Sequence, residues 1–287
     1  KGAKRMDKVL KKELMIIANR IRKHALLAVY SANSGHPGGS LSISDILAVL
    51  YFKQMKNLDP KNPKNPDRDR LVLSKGHCAP ALYGALAEKG FFPKEDISSF
   101  RQAHSYLQGH PDMKGVPGVD MSTGSLGQGI SAACGMAIAG KLANKDYRVY
   151  AILGDGELEE GQVWEAAMFT AQYKLDNLTA FVDFNNLQID GKLCDVCSQL
   201  PIDKKFEALN WHVITIDGHD VEQIDNAIEE AKTIKGKPTL ILANCVKGKN
   251  VSFMENQPQW HGSAPNKEQY EAAVAEIDAI IKELEVM

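Results

Sequence analysis

The chain has 287 residues, 44% hydrophobic and 24% charged, the balance of an ordinary globular protein long enough to bury a sizeable core. Its 34 basic and 36 acidic residues leave a net charge of −2, which gives no electrostatic reason to bind nucleic acid or an anionic membrane. No apolar run reaches the length of about 18 residues that a membrane-spanning helix needs, and Lys1 to Lys12 is too charged for a secretory signal. The five cysteines read as reduced thiols of a cytoplasmic protein. Cys194 and Cys197 have CxxC spacing but no second pair, so a labile metal or redox role is the weaker reading.

Residues 1–30 read as an N-terminal segment dominated by one amphipathic helix, with Val9, Leu10, Leu14, Ile17 and Ile21 at helical spacing from Asp7 to Tyr30. Ser34 to Gly39 reads as a loop from its glycine and proline content. Ser42 then reads as the N-cap of a second helix, with Asp45 as a capping-box acid. Leu58 to Arg70, rich in Pro, Asn and Asp, is expected to be a surface loop, followed by helices at Ala81–Glu88 and Ser125–Leu142. The second half alternates. Strands are predicted at Tyr147–Leu153, Leu178–Phe184, Trp211–Asp217 and Pro238–Val246, and helices at Leu158–Tyr173 and Val221–Ile234. Residues 266–287 read as a terminal amphipathic helix. This order implies an α/β fold, a parallel sheet flanked by helices on both faces, with ligands bound beyond the carboxyl ends of its strands.

The first such end is Gly154-Asp155-Gly156-Glu157. Glycines there let backbone N–H groups approach an anion, while Asp155 would repel one unless a cation lies between. A hard cation such as Mg²⁺ suits that place, because it takes few protein oxygens and is completed by phosphate. The second end is Asp183-Phe184-Asn185-Asn186-Leu187, thirty residues on from Asp155 to Asn185, about one strand–helix–strand unit. Asn185 could offer an amide oxygen and Leu187 a carbonyl, which makes a metal–diphosphate site. A capped helix followed by an Asn in a turn is the plainer alternative.

Gly154-Asp155-Gly156 followed by Asn185 resembles the thiamine diphosphate motif. Ala32 to Gly38, Ser74-Lys75-Gly76-His77, Gly109-His110-Pro111, Thr123 to Gly129 and Trp260-His261-Gly262 resemble successive signatures of transketolase, in order, over about Asn19 to Ala264. The resemblance implies a single diphosphate-binding (PP) domain of the thiamine diphosphate fold over residues 1–287. It implies that Asp155, Asn185 and the Leu187 carbonyl hold Mg²⁺ or Ca²⁺. His77, His261 and the Gly156 amide would contact the diphosphate, with Gly124, Leu126, Gly154, Glu157 and Glu165 also among the cofactor-binding residues. His36, His77, His110 and His261 would serve the sugar and the reacting carbon, imidazole being suited to proton exchange near neutrality. Glu160 and Glu165 would belong to a chain of carboxylates linking two active sites, with a solvated helix face as the plain alternative.

In that family a pyrimidine-binding domain follows and supplies the glutamate that activates the cofactor, and nothing after Ala264 resembles it. The expectation is therefore half of a split transketolase, cytoplasmic, paired within an α2β2 heterotetramer with a C-terminal partner that carries the pyrimidine-binding domain. It would transfer a two-carbon ketol unit from a ketose phosphate to an aldose phosphate, in the manner of the pentose phosphate pathway. The thiamine-dependent subunit of a 2-oxo acid dehydrogenase is the nearest alternative, but it is not expected to carry both the Gly35–Gly38 and Gly109–Pro111 signatures. 1-Deoxyxylulose-5-phosphate synthase is a longer single chain that departs from the first signature. A non-catalytic interaction subunit of the same fold would show erosion at the metal ligands or histidines, and none is present. Gly39-Ser40-Leu41 departs from the run of small residues expected after His36, which leaves the sugar open.

Overall fold

Alternation along buried strands divides the hydrophobic residues between two faces of one sheet. Val149, Ala151 and Leu153 point to one side, with Leu178, Ala180, Val182, Leu240 and Leu242. Tyr150, Ile152, Phe181 and Ile241 point to the other. Both faces are buried, which is why these segments read as continuous apolar runs. The computed structural model describes residues 5–286; Lys1 to Lys4 of the predicted N-terminal segment, and Met287 of the terminal helix, lie outside the described residues.

The first third runs through α1 (Lys8–Ala32), α2 (Pro37–Ser42), α3 (Ser44–Val49), β1 (Arg70–Leu73) and α4 (Ala79–Lys89). The middle holds α5 (Gln128–Leu142), β2 (Val149–Gly154), α6 (Gly161–Gln172), β3 (Leu178–Phe184) and a small hairpin of β4 (Leu187–Gln188) and β5 (Gly191–Lys192). The last part comprises α7 (Leu193–Val196), α8 (Ile202–Ala208), β6 (His212–Asp217), α9 (Val221–Thr233), β7 (Thr239–Asn244) and α10 (Lys267–Val286). Five strands form one sheet in the order β1-β2-β3-β7-β6, every pair parallel. One face is covered by α1, α3, α4 and α9, the other by α5, α6 and α8. A smaller core seats α10 on α1 through Ala273, Ile277 and Leu26. No helix among the described residues is long and apolar enough to cross a membrane.

Asp7 caps α1, its carboxylate accepting from the Val9 and Leu10 amides at 3.0 and 3.1 Å. Buried within α1, Arg22 pairs with Asp45 of α3 and donates to the Leu41 carbonyl at 3.2 Å. His219, just past β6, places Nδ1 2.8 Å from Asp45, and its Nε2 accepts from the Val246 amide at 2.8 Å. That second bond fixes the imidazole as the Nδ1–H tautomer. One carboxylate therefore fastens two helices to the far edge of the sheet.

Three local expectations are corrected. Residues Pro37–Gly39 are helical rather than loop, because Pro37 starts α2 at a position where its missing N–H costs nothing. Ser42 is the last residue of α2 and not an N-cap; its hydroxyl binds Asp183, and Asp45 serves Arg22 and His219. Cys194 lies within α7 and Cys197 caps it, both exposed, rather than in an open loop. No group of three His, Cys, Asp or Glu able to hold a metal forms among the described residues, around these thiols or elsewhere. The four-residue β1 and the short α8 are additions that sequence pattern did not reveal.

The Arg22–Asp45 pair yields a stability prediction. Asp45→Ala should destabilise the chain by about 3–5 kcal/mol, since it leaves a buried guanidinium without its counter-charge. Urea denaturation measures this, and the double variant Arg22→Met/Asp45→Leu should recover much of the loss.

Candidate active site

Parallel strands bring their carboxyl ends to one edge of the sheet, and apart from Asp183, the penultimate residue of β3, the buried charged groups of the site come from segments just past a strand. Beyond β1 lie Ser74, Lys75 and His77, beyond β2 Asp155, beyond β3 Asn185 and Leu187, and beyond β7 Lys247. Lys75 and Asp183, both almost wholly buried, form an ion pair of 2.5 Å. The same Asp183 oxygen accepts from Ser42 at 2.6 Å and from Asn185 Nδ2 at 3.0 Å. Burial alone would favour the neutral acid, yet the Lys75 ammonium holds Asp183 below the usual carboxylate range.

Asp155 is 2% exposed, and its two oxygens accept from the Gly156 amide at 2.8 Å and the Asn186 amide at 2.5 Å. Burial, together with the negative charge of Asp183, pushes its pKa up to about 6. A carboxylate raised in this way is short of positive charge. The Leu187 carbonyl accepts from Lys247 Nζ at 2.9 Å, and the Asn185 amide oxygen accepts from the Leu187 amide at 3.1 Å. Carboxylate, amide oxygen and backbone carbonyl are hard donors, the set that a divalent cation such as Mg²⁺ or Ca²⁺ takes. Gln188 Nε2 is buried without a partner in this cradle, and Gln188 packs close against Gly156. An orphaned N–H donor beside backbone amides fits a phosphate oxygen.

Three of the four histidines expected at the site converge. The rings of His36 and His77 are 5.1 Å apart, those of His77 and His261 5.2 Å, and those of His36 and His261 5.5 Å. His36 stands at the start of α2, His77 in the turn after β1, and His261 at the end of a short turn over Pro258–His261. Lys247 Nζ lies 2.9 Å from His261 Nδ1. Burial lowers all three imidazoles, and the neighbouring cations lower them further: His36 to about 4, His261 to about 3, and His77 well below its usual value. Lys247 is itself lowered to about 8, by burial and by repulsion from Lys75. His110 is more exposed and sits further out, against Gly124, its pKa shifted downward by burial and by Arg101. His36 Nδ1 is buried without a hydrogen-bond partner.

Gly124 packs against the His110 ring, and Leu126, two residues on, is half-buried. Gly76 packs so tightly on Thr123 that a Cβ there would meet its hydroxyl at 2.6 Å, which binds the His77 turn to the 123–126 loop. A cavity of about 300 Å³ opens among Met121–Ser125, Gln128 and Gly129. The Glu157 carboxylate is fully engaged, accepting from Ser74, from the Gly127 amide at 2.9 Å and from the Gly154 amide at 3.0 Å. It braces the loops that form the site. Glu160 and Glu165 are not gathered with the histidines but lie exposed at the start and on the outer face of α6. Sequence pattern gives no notice of Lys247 or Gln188, shows Asp183 only as part of a strand end and Ser42 only as a cap, and shows Lys75 only as part of a motif. For Lys247 the signal exists, because it follows a strand end just as Asp155 and Asn185 do.

A family model for the transketolase thiamine diphosphate binding domain matches residues 14–277. The SqwG subunit of a 6-deoxy-6-sulfo-D-fructose transketolase from Clostridium sp. (strain MSTE9) is 49% identical, over 91% of this chain and 94% of that one. A chain named as one of the subunits of an apulose-4-phosphate transketolase from Phocaeicola vulgatus is 42% identical, over 95% of this chain and 96% of its own. Mouse (Mus musculus) transketolase is 46% identical over 91% of this chain, which spans only 41% of the mouse protein. Among solved structures, transketolase from Leishmania mexicana superimposes with a TM-score of 0.86 at 31% identity, over 95% of this chain and 45% of its own.

Lowered imidazoles make stability depend on pH. Between about pH 6.5 and pH 4 the unfolded chain binds protons at His36 and His261 that the folded chain does not, so stability falls as pH drops through that window. Going from pH 7 to pH 5 should cost at most about 2 kcal/mol for each of these two histidines. Urea titrations at the two pH values measure the loss, and His36→Asn should flatten the slope.

Proposed function

The chain belongs to the family of transketolase thiamine diphosphate-binding domains, and from that premise we propose that it is the diphosphate-binding subunit of a split transketolase. The reading rests above all on one observation, the convergence of His36, His77 and His261 over the carboxyl edge of the sheet beside Asp155, Asn185 and Leu187. Near-complete coverage of two relatives that are named as subunits supports it. The chain would act as a single PP domain in the cytoplasm, paired with a second subunit that carries the pyrimidine-binding domain, in an α2β2 heterotetramer.

In this reading Asp155, Asn185 and the Leu187 carbonyl, which accepts from Lys247 here, would hold Mg²⁺ or Ca²⁺. The Gly156 amide, His77 and His261 would contact the diphosphate, with Gly124 and Leu126 beside it and Lys247 supplying positive potential. Bound there, thiamine diphosphate supplies the electron sink for breaking and making a carbon–carbon bond. His36 and His110 bind the sugar hydroxyls. Held neutral, His36 can accept a hydroxyl proton and return it, which a permanently charged imidazolium cannot do. Glu160 and Glu165, exposed in the lone chain, face the partner.

The substrate class follows from the two relatives named as subunits. Their names specify a sulfonated ketose and a ketose phosphate, which share a terminal anion. The donor proposed here is likewise a ketose with a terminal oxyanion group, and its acceptor an aldose phosphate.

The test is ketol transfer to ribose 5-phosphate with thiamine diphosphate and Mg²⁺, from xylulose 5-phosphate, apulose 4-phosphate or 6-deoxy-6-sulfofructose in turn. The chain is assayed alone and with its C-terminal partner. Activity with at least one donor, only in the mixture, and a fall of about 10²-fold or more in His36→Ala, is the expected outcome. Full activity from the chain alone would overturn the split reading. Silence with all three donors would favour a non-catalytic subunit.

A further inference from the structure

Arg101 lies outside every sequence signature of the site, yet it stands between the two loops that carry His36 and His110. Its backbone is left-handed, with φ of 59°, an uncommon place for a residue other than glycine or asparagine. The loop holds it there, the Arg101 amide donating to the Leu107 carbonyl at 2.9 Å and the Ser99 and Ser105 hydroxyls meeting at 2.7 Å. Such backbone outliers tend to be kept where the side chain has work to do.

The side chain reaches both loops. Nη1 donates to the Ser34 hydroxyl at 2.6 Å, two residues before His36. Nε packs flat on Gly109, where an added Cβ would come within 2.6 Å of it, one residue before His110. The guanidinium lies 5.3 Å from the ring of buried Phe100, and the same ring edge closes on Gly35. Behind the second loop, the Tyr83 hydroxyl lies 2.9 Å from both the Gln108 and the His110 carbonyls. Gln102 adds a bond from its amide to the Ser31 carbonyl at 3.1 Å. Arg101 is thus a bolt through two chain segments more than sixty residues apart in sequence.

We propose that Arg101 is a positioning residue that locks the His36 and His110 loops into one wall of the sugar site and sets the electrostatic field in which both imidazoles work. The consequence for ketol transfer rests on the transketolase reading; the lock itself does not. Around His36 the charged and titratable groups are Arg101, His110 and Lys247, with the His77 and His261 rings beside it. Around His110 it is Arg101, with Asp112 two residues on along the same loop. Arg101 is the cation that both histidines share, so its charge favours the neutral form of each.

The test pairs two readouts on wild type, Arg101→Gln and Arg101→Lys. The first is NMR titration of the full chain with ¹³C-labelled histidine, which follows His36 and His110 directly. Removing the charge in Arg101→Gln should raise both midpoints by roughly half to one pH unit. Arg101→Lys, which keeps the charge but loses the flat fork, should hold them near wild type. The second readout is kinetics of the chain reconstituted with its partner. Here Arg101→Gln should lower kcat by roughly tenfold and move the acid limb of its pH profile upward, leaving the thiamine diphosphate requirement unchanged. Arg101→Lys should keep that acid limb in place and recover only part of kcat. Unmoved midpoints in Arg101→Gln, or midpoints in Arg101→Lys raised as far as in Arg101→Gln, would overturn the proposal. A wild-type complex without ketol transfer would instead sink the transketolase reading, and the NMR titration would still decide the lock.

Discussion

The buried ion pair between Lys75 and Asp183 is the constraint on which the site depends. It joins the end of β1 to the end of β3 across β2, and through Ser42 and Asn185 it adds α2 and the loop that carries Leu187. Two charges taken out of water are tolerable only when paired and hydrogen-bonded, and Asp183 has a lysine, a hydroxyl and an amide around it. Once that pair is closed, His77, two residues past Lys75, and Asn185, two residues past Asp183, have little freedom left. The chemistry is positioned by a contact that takes no part in it.

Charge is distributed unevenly around this pair, and the imbalance has direction. Lys75 is neutralised by Asp183, whereas Lys247 meets no carboxylate among the described residues and leans on a carbonyl and an imidazole. Asp155 has backbone amides and, among the described residues, no cation within hydrogen-bond reach. The lone chain therefore carries a lysine lowered to about 8 and an aspartate raised to about 6, both buried and each within reach of the other's field. A divalent cation at Asp155 and a diphosphate at Lys247 would satisfy both groups together. The histidines respond to the same field: rings beside two lysines are held neutral, each keeping an unprotonated nitrogen, and Arg101 extends that condition outward to His110.

Sequence pattern reveals the second half of the fold better than the first. From Val149 onward β2, β3 and β7 are buried apolar runs, the edge strand β6 carries Val213, Ile214 and Ile216, and α6 and α9 have polar faces, so spacing alone locates β2, β3, β6, β7, α6 and α9 to within a few residues. The segment from Pro37 to Gln54 is buried almost throughout and rich in small residues, and a helix with no polar face shows no period to read. Hence Ser34–Gly39 reads wholly as loop, and Ser42 as a cap. Strand β1 is four residues long and follows a polar loop, too short for alternation to register. At the site, Asp155, Asn185, Leu187 and the histidines stand in turns whose glycines and asparagines advertise them. Lys247 and Asp183 do not, because a buried lysine and its partners become visible only when strand order brings segments 60 to 108 residues apart to one edge.

The central claim is that the chain grips a diphosphate through a divalent cation held by Asp155, Asn185 and Leu187. Calorimetric titration of the chain with thiamine diphosphate, and with inorganic pyrophosphate as the bare probe, tests it in Mg²⁺ and again in EDTA. The account predicts binding of both ligands in Mg²⁺ that is lost in EDTA and abolished by Asp155→Ala. Equal affinity with and without the metal, or an Asp155→Ala variant that binds as wild type does, would contradict it.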